Sequence, residues 1–195
     1  TAAFEALAER VLLIERDPTV AVVWEVIFGK DADALCGRIL NFEMSSNNVK
    51  AALSKRARTK LDRAFSTLLR NRVQHGGILA PGASVMKEGE NGKGIGSRWY
   101  PDTLARRIAE ISTVRDRIGV LEGDAFDAIR EYKNAANAVW FVDPPYTVAG
   151  RRLYHFSDVD HPGLFRAMRD VRGDFLMTYD DTDEVRALAQ ANAFR

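Results

Sequence analysis

A single cysteine, Cys36, in a chain of 195 residues leaves no possibility of an internal disulfide. Its neighbours Leu35 and Ile39 mark it as a helix core residue, and a lone thiol suits a reducing compartment. Histidine is almost as scarce. His75, His155 and His161 are scattered, with no cysteine beside them, so neither a structural zinc site nor any other metal is expected. No apolar run approaches the ~20 residues that cross a bilayer, so no membrane-spanning helix is expected. The first ten residues mix apolar and charged types without the long apolar stretch of a signal peptide. A cytoplasmic protein is therefore expected. Internal repeats and low-complexity tracts are lacking too, which excludes solenoid and linker architectures.

What the chain does contain is enough apolar sequence for a core, with 46% hydrophobic and 28% charged residues. The net charge of +1 is uninformative, but its distribution is uneven. Lys50, Lys55, Arg56, Arg58, Lys60, Arg63, Arg70 and Arg72 fall within 23 residues against one acid, Asp62. A basic stretch inside a neutral protein suits a phosphate-contacting face, and equally a solvated helix surface.

Strands and helices alternate along the chain. Val11 to Ile14 reads as a short buried strand ending at Glu15, and Pro18, capped by Asp17, opens a buried helix through Phe28. A second helix is expected over Asp31 to Phe42, and one long amphipathic helix over Val49 to Leu69. Val73 to Tyr100 holds half of the 14 glycines and reads as an insert, with Asn91-Gly92 as a hairpin signal. Beyond it come a helix from Pro101 to about Ile111, a strand Ile118 to Glu122 and a helix Asp124 to Tyr132. The chain continues with a strand Ala138 to Val142, a helix His161 to Val171 and a strand Phe175 to Thr178. A last helix is expected to be capped by Asp181, with Glu184 completing a capping box. This alternation predicts an α/β fold with a parallel sheet.

Three short segments carry candidate chemistry. The first is Asp143-Pro144-Pro145-Tyr146, directly after an apolar strand, where ligands bind in open α/β sheets. Its prolines fix φ and remove two backbone donors. A carboxylate and a proline carbonyl are thereby offered to the two protons of an amine, and a tyrosine ring to the face of a flat base. Glu15 is the second: an acid ending an early strand of such a sheet commonly accepts the hydroxyls of a ribose. Gly123-Asp124-Ala125-Phe126 is the third. Here Asp124 can bond the amine of a cofactor's adenine with Phe126 against its ring, or it can only cap the next helix.

Together these segments resemble the Dam-like DNA adenine-N6 methyltransferases over nearly the whole chain. Thr1 to Leu7 is similar to the helix after that family's glycine-rich loop. Leu69 to Gly77 and Gly96 to Pro101 resemble its target-recognition insert and border, and Phe175 to Asp181 the strand and turn that close its target pocket. The resemblance implies a Rossmann-like methyltransferase sheet with helices on both faces. The family's first strand and glycine loop have no counterpart, the chain beginning about where that loop should end. It divides the chain into a cofactor-side half with the basic helix (1–70), a target-recognition insert (71–100) and a catalytic half (101–195). It further implies S-adenosylmethionine as cofactor, held by Glu15, Arg16, Asp124, Ala125, Phe126 and Asp143, with no metal. Catalysis would fall to Asp143, Pro144, Pro145 and Tyr146. The substrate implied is double-stranded DNA with a flipped adenine, contacted by Arg70, Asn71, Arg72, His75, Lys93, Arg98 and Tyr100. No obligate protein partner is implied, and the setting would be DNA methylation or restriction-modification in a bacterium, phage or plasmid. Two rival readings stand beside it: an RNA base methyltransferase, and a non-catalytic DNA-binding remnant of the fold.

Overall fold

Val11–Glu15 (β1) and Ile118–Glu122 (β2) pair in parallel, with Val11 opposite Ile118 and Glu15 opposite Glu122. Val139–Val142 (β3) and Asp174–Met177 (β4) form a second parallel pair, with Val139 opposite Asp174 and Val142 opposite Met177. A computed structural model describes residues 2–80, 82–87, 92, 94–147 and 156–194. Among these the protein is a mixed α/β chain with eight α-helices and these two strand pairs. It forms two compact units, Thr1–Glu122 and Gly123–Arg195.

The first unit is largely helical. Pro18–Phe28 (α1) starts as its sequence predicts, with Asp17 accepting the Thr19 N–H at 2.8 Å and proline in the first turn. Ala32–Leu40 (α2), Ser46–Ser54 (α3), Lys60–Val73 (α4) and Pro101–Ser112 (α5) complete it. The single long helix expected over Val49 to Leu69 is in fact two. Ser45 caps α3 through the Asn48 N–H, and residues 55–59 interrupt the helix before Thr59 caps α4. Thr59 and Asp62 form a reciprocal capping box, each side chain accepting the other's backbone N–H. Four of the eight positions from Lys55 to Asp62 are basic, so continuing the helix would stack like charges, whereas the break lets Thr59 extend and cap. The core joins Val26, Leu35, Ile39, Phe65, Leu69 and Trp99. Phe42 meets the rings of Phe65 and Trp99 edge-on at 5.3 and 5.7 Å, so the glycine-rich stretch is anchored in this core by Trp99.

Ala2 to Leu7 is not helical. It makes turns, with the Leu7 N–H bonded to the Ala2 carbonyl and Ala6 at φ 52°.

In the second unit, Ala125–Tyr132 (α6) and His161–Arg169 (α7) cover one face of the β3–β4 pair. Ile129, Leu164 and Met168 pack against Trp140, Val142, Phe175 and Met177. Val139, Phe141 and Leu176 on the opposite face are exposed, so among the described residues helices cover one face of this pair and not two. Gly173 lets β4 enter beside β3, since a Cβ there would collide with the Ala138 carbonyl oxygen. The last helix is Asp183–Ala191 (α8). Its cap is Thr182, which accepts the Val185 N–H, and not Asp181. Asp181 instead takes both arms of the Arg186 guanidinium at 2.6 and 2.7 Å. No helix among the described residues is long and apolar enough to cross a membrane.

The α4 capping box has a measurable consequence. The Arg38 guanidinium, 2.8 Å away, and then the Arg58 N–H hold the Asp62 carboxyl well below the ordinary aspartate range. A depressed value means stability that is present above the unfolded value, about 3.9, and lost as pH falls through the folded one. Asp62→Asn should therefore melt lower than the wild type at pH 7, with the gap closing as pH falls below about 4. A gap unchanged down to pH 2 would mean that the Asp62 charge does not stabilise α4.

Candidate functional site

The carboxyl ends of β3 and β4 bring together residues that lie 35 positions apart in sequence. The ladder continues past the strands through the Thr178 N–H to the Val142 carbonyl at 3.0 Å. In this register Asp143 and Thr178 come to lie together, and the Thr178 hydroxyl donates to Asp143 Oδ1 at 2.5 Å. A charge-assisted bond of this length is strong, and it holds one carboxylate oxygen while leaving the other available. Asp143 itself is exposed.

Pro144 and Pro145 lead to Tyr146, whose ring faces Tyr179 with centroids 6.5 Å apart and planes inclined by 24°. Thr147 Oγ1 lies 3.4 Å from the Asp180 carboxylate. Thus Asp143, Tyr146 and Thr147 on one turn meet Thr178, Tyr179 and Asp180 on the other. The Tyr179 hydroxyl lies 3.1 Å from His161 Nδ1 at the start of α7. Burial, and then the Asp180 charge, push the Tyr179 phenol above its ordinary range. A cavity of about 310 Å³ adjoins this cluster, lined by Thr147, Ser157, Asp158, Val159 and His161.

Asp124 caps α6, with Oδ1 accepting the Phe126 N–H at 2.8 Å. Phe126 packs into the core beneath the sheet, and Ala125 is exposed. In the first unit, Glu15 ends β1 half-buried, its Oε1 accepting the Asp17 N–H at 2.8 Å. Burial raises its carboxyl above the ordinary glutamate range, and the adjacent Asp17 charge adds to this. Arg16 beside it is exposed.

The predicted DNA-contact residues gather around the C-terminal end of α4. The paired glycines Gly76 and Gly77, at φ 63° and 71°, turn the chain back on the helix. Asn71 donates to the Gly77 carbonyl at 2.8 Å, and Arg98 Nη1 donates to the Gln74 carbonyl at 3.4 Å. Arg72 is half-buried. Burial first, and then the charges of Arg98 and Arg107, hold its guanidinium below the ordinary arginine range. Arg70, His75 and Tyr100 are exposed. Lys93 and Asn91 lie outside the described residues. A short antiparallel bridge, Gln74 with Val85, closes this stretch, with Met86 N–H bonded to the Val73 carbonyl.

Sequence reasoning did not single out Thr147, His161, Thr178, Tyr179 or Asp180 individually, nor Arg107. The Thr178-Tyr179-Asp180 run was marked only through its resemblance. Its partnership with Asp143-Pro144-Pro145-Tyr146 depends on strand register, which no local signal carries. The chain matches no protein-family model and no curated protein.

The close packing at Gly77 separates two costs. An added Cβ would sit 2.9 Å from the Arg98 guanidinium at a left-handed backbone, whereas at Gly82, also left-handed, it would meet open space. Gly82→Ala should lose only the backbone cost of about 1–2 kcal/mol. Gly77→Ala should lose a similar backbone cost and should in addition displace the flexible ends of Arg98 and Asn71, releasing Arg98 from the Gln74 carbonyl. A crystal structure of Gly77→Ala with Arg98 unmoved would mean that the added Cβ does not meet it.

Proposed function

We propose that the protein transfers a methyl group from S-adenosylmethionine to the N6 amine of adenine in double-stranded DNA, on a Rossmann-like methyltransferase fold. The observation that carries this reading is the Asp143 carboxylate, pinned by Thr178 at the carboxyl end of a parallel strand and followed by Pro144, Pro145 and Tyr146. Such a carboxylate accepts one amine proton through its second oxygen, and the Pro144 carbonyl, freed from any ladder, accepts the other. The amine lone pair is then directed outward. The Asp143 charge stabilises the positive charge that develops on nitrogen, and Tyr146 supplies a stacking face for the base. Neither covalent attachment to the enzyme nor a titrating base is needed, so positioning provides most of the acceleration.

S-adenosylmethionine supplies an electrophilic methyl. The chemistry of the available acceptors fits it: Glu15 offers a half-buried carboxylate to ribose hydroxyls, with Arg16 adjacent, and Asp124 lies at the start of α6. The exposed cations from Lys50 to Arg70 and the Arg72–Arg98–Arg107 group support a polyanionic substrate. An adenine taken out of the duplex costs a few kcal/mol, which contacts of this kind would offset.

The decisive measurement is incorporation of labelled methyl into duplex DNA, with long-read sequencing to locate N6-methyladenine. The wild type should methylate, and Asp143→Asn should lose ~10²–10³-fold in rate. Near-native turnover by Asp143→Asn would remove the carboxylate from the reaction. Preferential methylation of structured RNA would make the protein an RNA base methyltransferase.

Glu15 yields a second test. Glu15→Ala should weaken cofactor affinity about 10- to 100-fold by calorimetry, because hydrogen bonds to a charged acceptor contribute about 1.5–3 kcal/mol. Since the carboxyl titrates above the ordinary glutamate value and only the ionised form accepts both hydroxyls, wild-type affinity should fall on acidification. That fall should begin at a higher pH than for an exposed glutamate, and Glu15→Gln should not show it. A wild-type affinity independent of pH would take Glu15 out of the cofactor site.

A further inference from the structure

The Thr178 hydroxyl is not needed to hold the two turns together. They are already joined by the Thr178 N–H on the Val142 carbonyl at 3.0 Å, by the offset stack of Tyr146 on Tyr179 and by Thr147 beside the Asp180 carboxylate. Thr178 is half-buried, its backbone fixed in the ladder and its β-branched side chain confined to few rotamers. Asp143 is exposed, and the terminal torsion of an unrestrained aspartate is broad. The Thr178 hydroxyl on Asp143 Oδ1 is therefore a fixed donor that orients a movable acceptor.

That bond decides how a base meets the carboxylate. A free carboxylate offers two acceptor oxygens side by side and takes paired donors two-pronged, as it takes arginine. Guanine presents such a pair, its ring N–H beside its exocyclic amine. Adenine presents one amine beside a ring nitrogen that only accepts. Asp143 Oδ1 already takes the Thr178 proton, and the Thr178 side chain stands next to it. Oδ2 is left as a single strong acceptor, which suits one amine and disfavours a two-pronged partner.

We infer that Thr178 is a specificity-determining residue, which by occupying Asp143 Oδ1 makes the carboxylate a one-pronged acceptor that selects adenine over guanine. The selection works by obstructing the wrong base as well as by attracting the right one. It rests on the proposed adenine methylation and deepens it, by naming the residue that decides between the two amine-bearing purines. Thr178 donates one hydrogen bond and transfers nothing, so it is a positioning residue and not a catalytic one.

The test measures binding of the full chain to oligothymidine strands carrying one central adenine, guanine or amine-free purine, together with single-turnover methyl incorporation into duplex DNA. Thr178→Val keeps the β-branched shape and loses the donor, whereas Thr178→Ser keeps the donor. The wild type should bind the adenine strand about 10-fold more tightly than the guanine strand. In Thr178→Val that preference should disappear because guanine gains, a second bond to a charged acceptor contributing about 10-fold or more. Its affinity for the amine-free strand should stay unchanged. Thr178→Ser should restore the wild-type order. Methyl incorporation by Thr178→Val should fall about 10- to 100-fold with cofactor affinity unchanged, since a misplaced positioning group costs up to ~10²-fold. Thermal melts verify folding, and Thr178→Ala, with the same expected outcomes, replaces Thr178→Val if the latter does not fold. Specificity by Thr178 is overturned if the wild type does not prefer adenine or if Thr178→Val keeps the preference. It is equally overturned if Thr178→Val loses affinity for all three strands alike, the mark of a merely structural role. Methyl incorporation separates the two readings. A Thr178-dependent preference without methylation would retain the specificity role and refute the methyltransferase. Methylation with the purine preference unaltered in Thr178→Val would retain the enzyme and refute the specificity role.

Discussion

Parallel pairing of β3 with β4 in a single register underlies the candidate site. Because Val142 lies opposite Met177, the residues that follow, Asp143 and Thr178, emerge together and their side chains bond. A slip of one residue would turn every side chain of one strand to the other face. It would expose Trp140 and Val142 and direct Asp143 away from Thr178. The apolar packing of Trp140, Val142, Phe175 and Met177 on α6 and α7 thus specifies the register that the carboxylate needs. Core packing and site geometry in this unit share one constraint.

The first unit solves a different problem, that of holding cations close together. Arg98 and Arg107 each repel Arg72, yet Arg98 is retained by the Gln74 carbonyl and by its packing on Gly77. Backbone carbonyls and a glycine with no Cβ provide the anchorage where no ion pair among the described residues does. A surface assembled in this way is offset by whatever anion meets it, which fits the polyanion of the proposed reaction.

Much of the secondary structure was legible because its signals are local. Asp17-Pro18, Pro101 and Asp124 are starts and caps whose chemistry acts within three residues, and the apolar runs of β1 and β3 lead directly to the acids expected to matter, Glu15 and Asp143. The failures have a common physical origin. The break between α3 and α4 was masked by apolar residues that continue at helical spacing across it, although Thr59 and Asp62 announce a capping box. Asp181 and Thr182 are both competent caps, and only the competing claim of Arg186 on Asp181 decides between them. Of the site, the Asp143 tetrapeptide was legible because two prolines and an acid after an apolar strand are locally unusual. Thr178, Tyr179 and His161 were not individually legible, because their roles arise from pairings over 35, 33 and 18 positions.

Gly173 extends the reach of the site beyond its own residues. Its lack of a side chain admits β4 alongside Ala138, at the end of the strand pair opposite Asp143 and Thr178. Any larger residue would wedge the strands apart at their entrance, and a pair only four residues long has little length over which to recover. The tolerance of the carboxylate cluster to mutation is therefore governed partly from the far end of the ladder, by an atom that is not there.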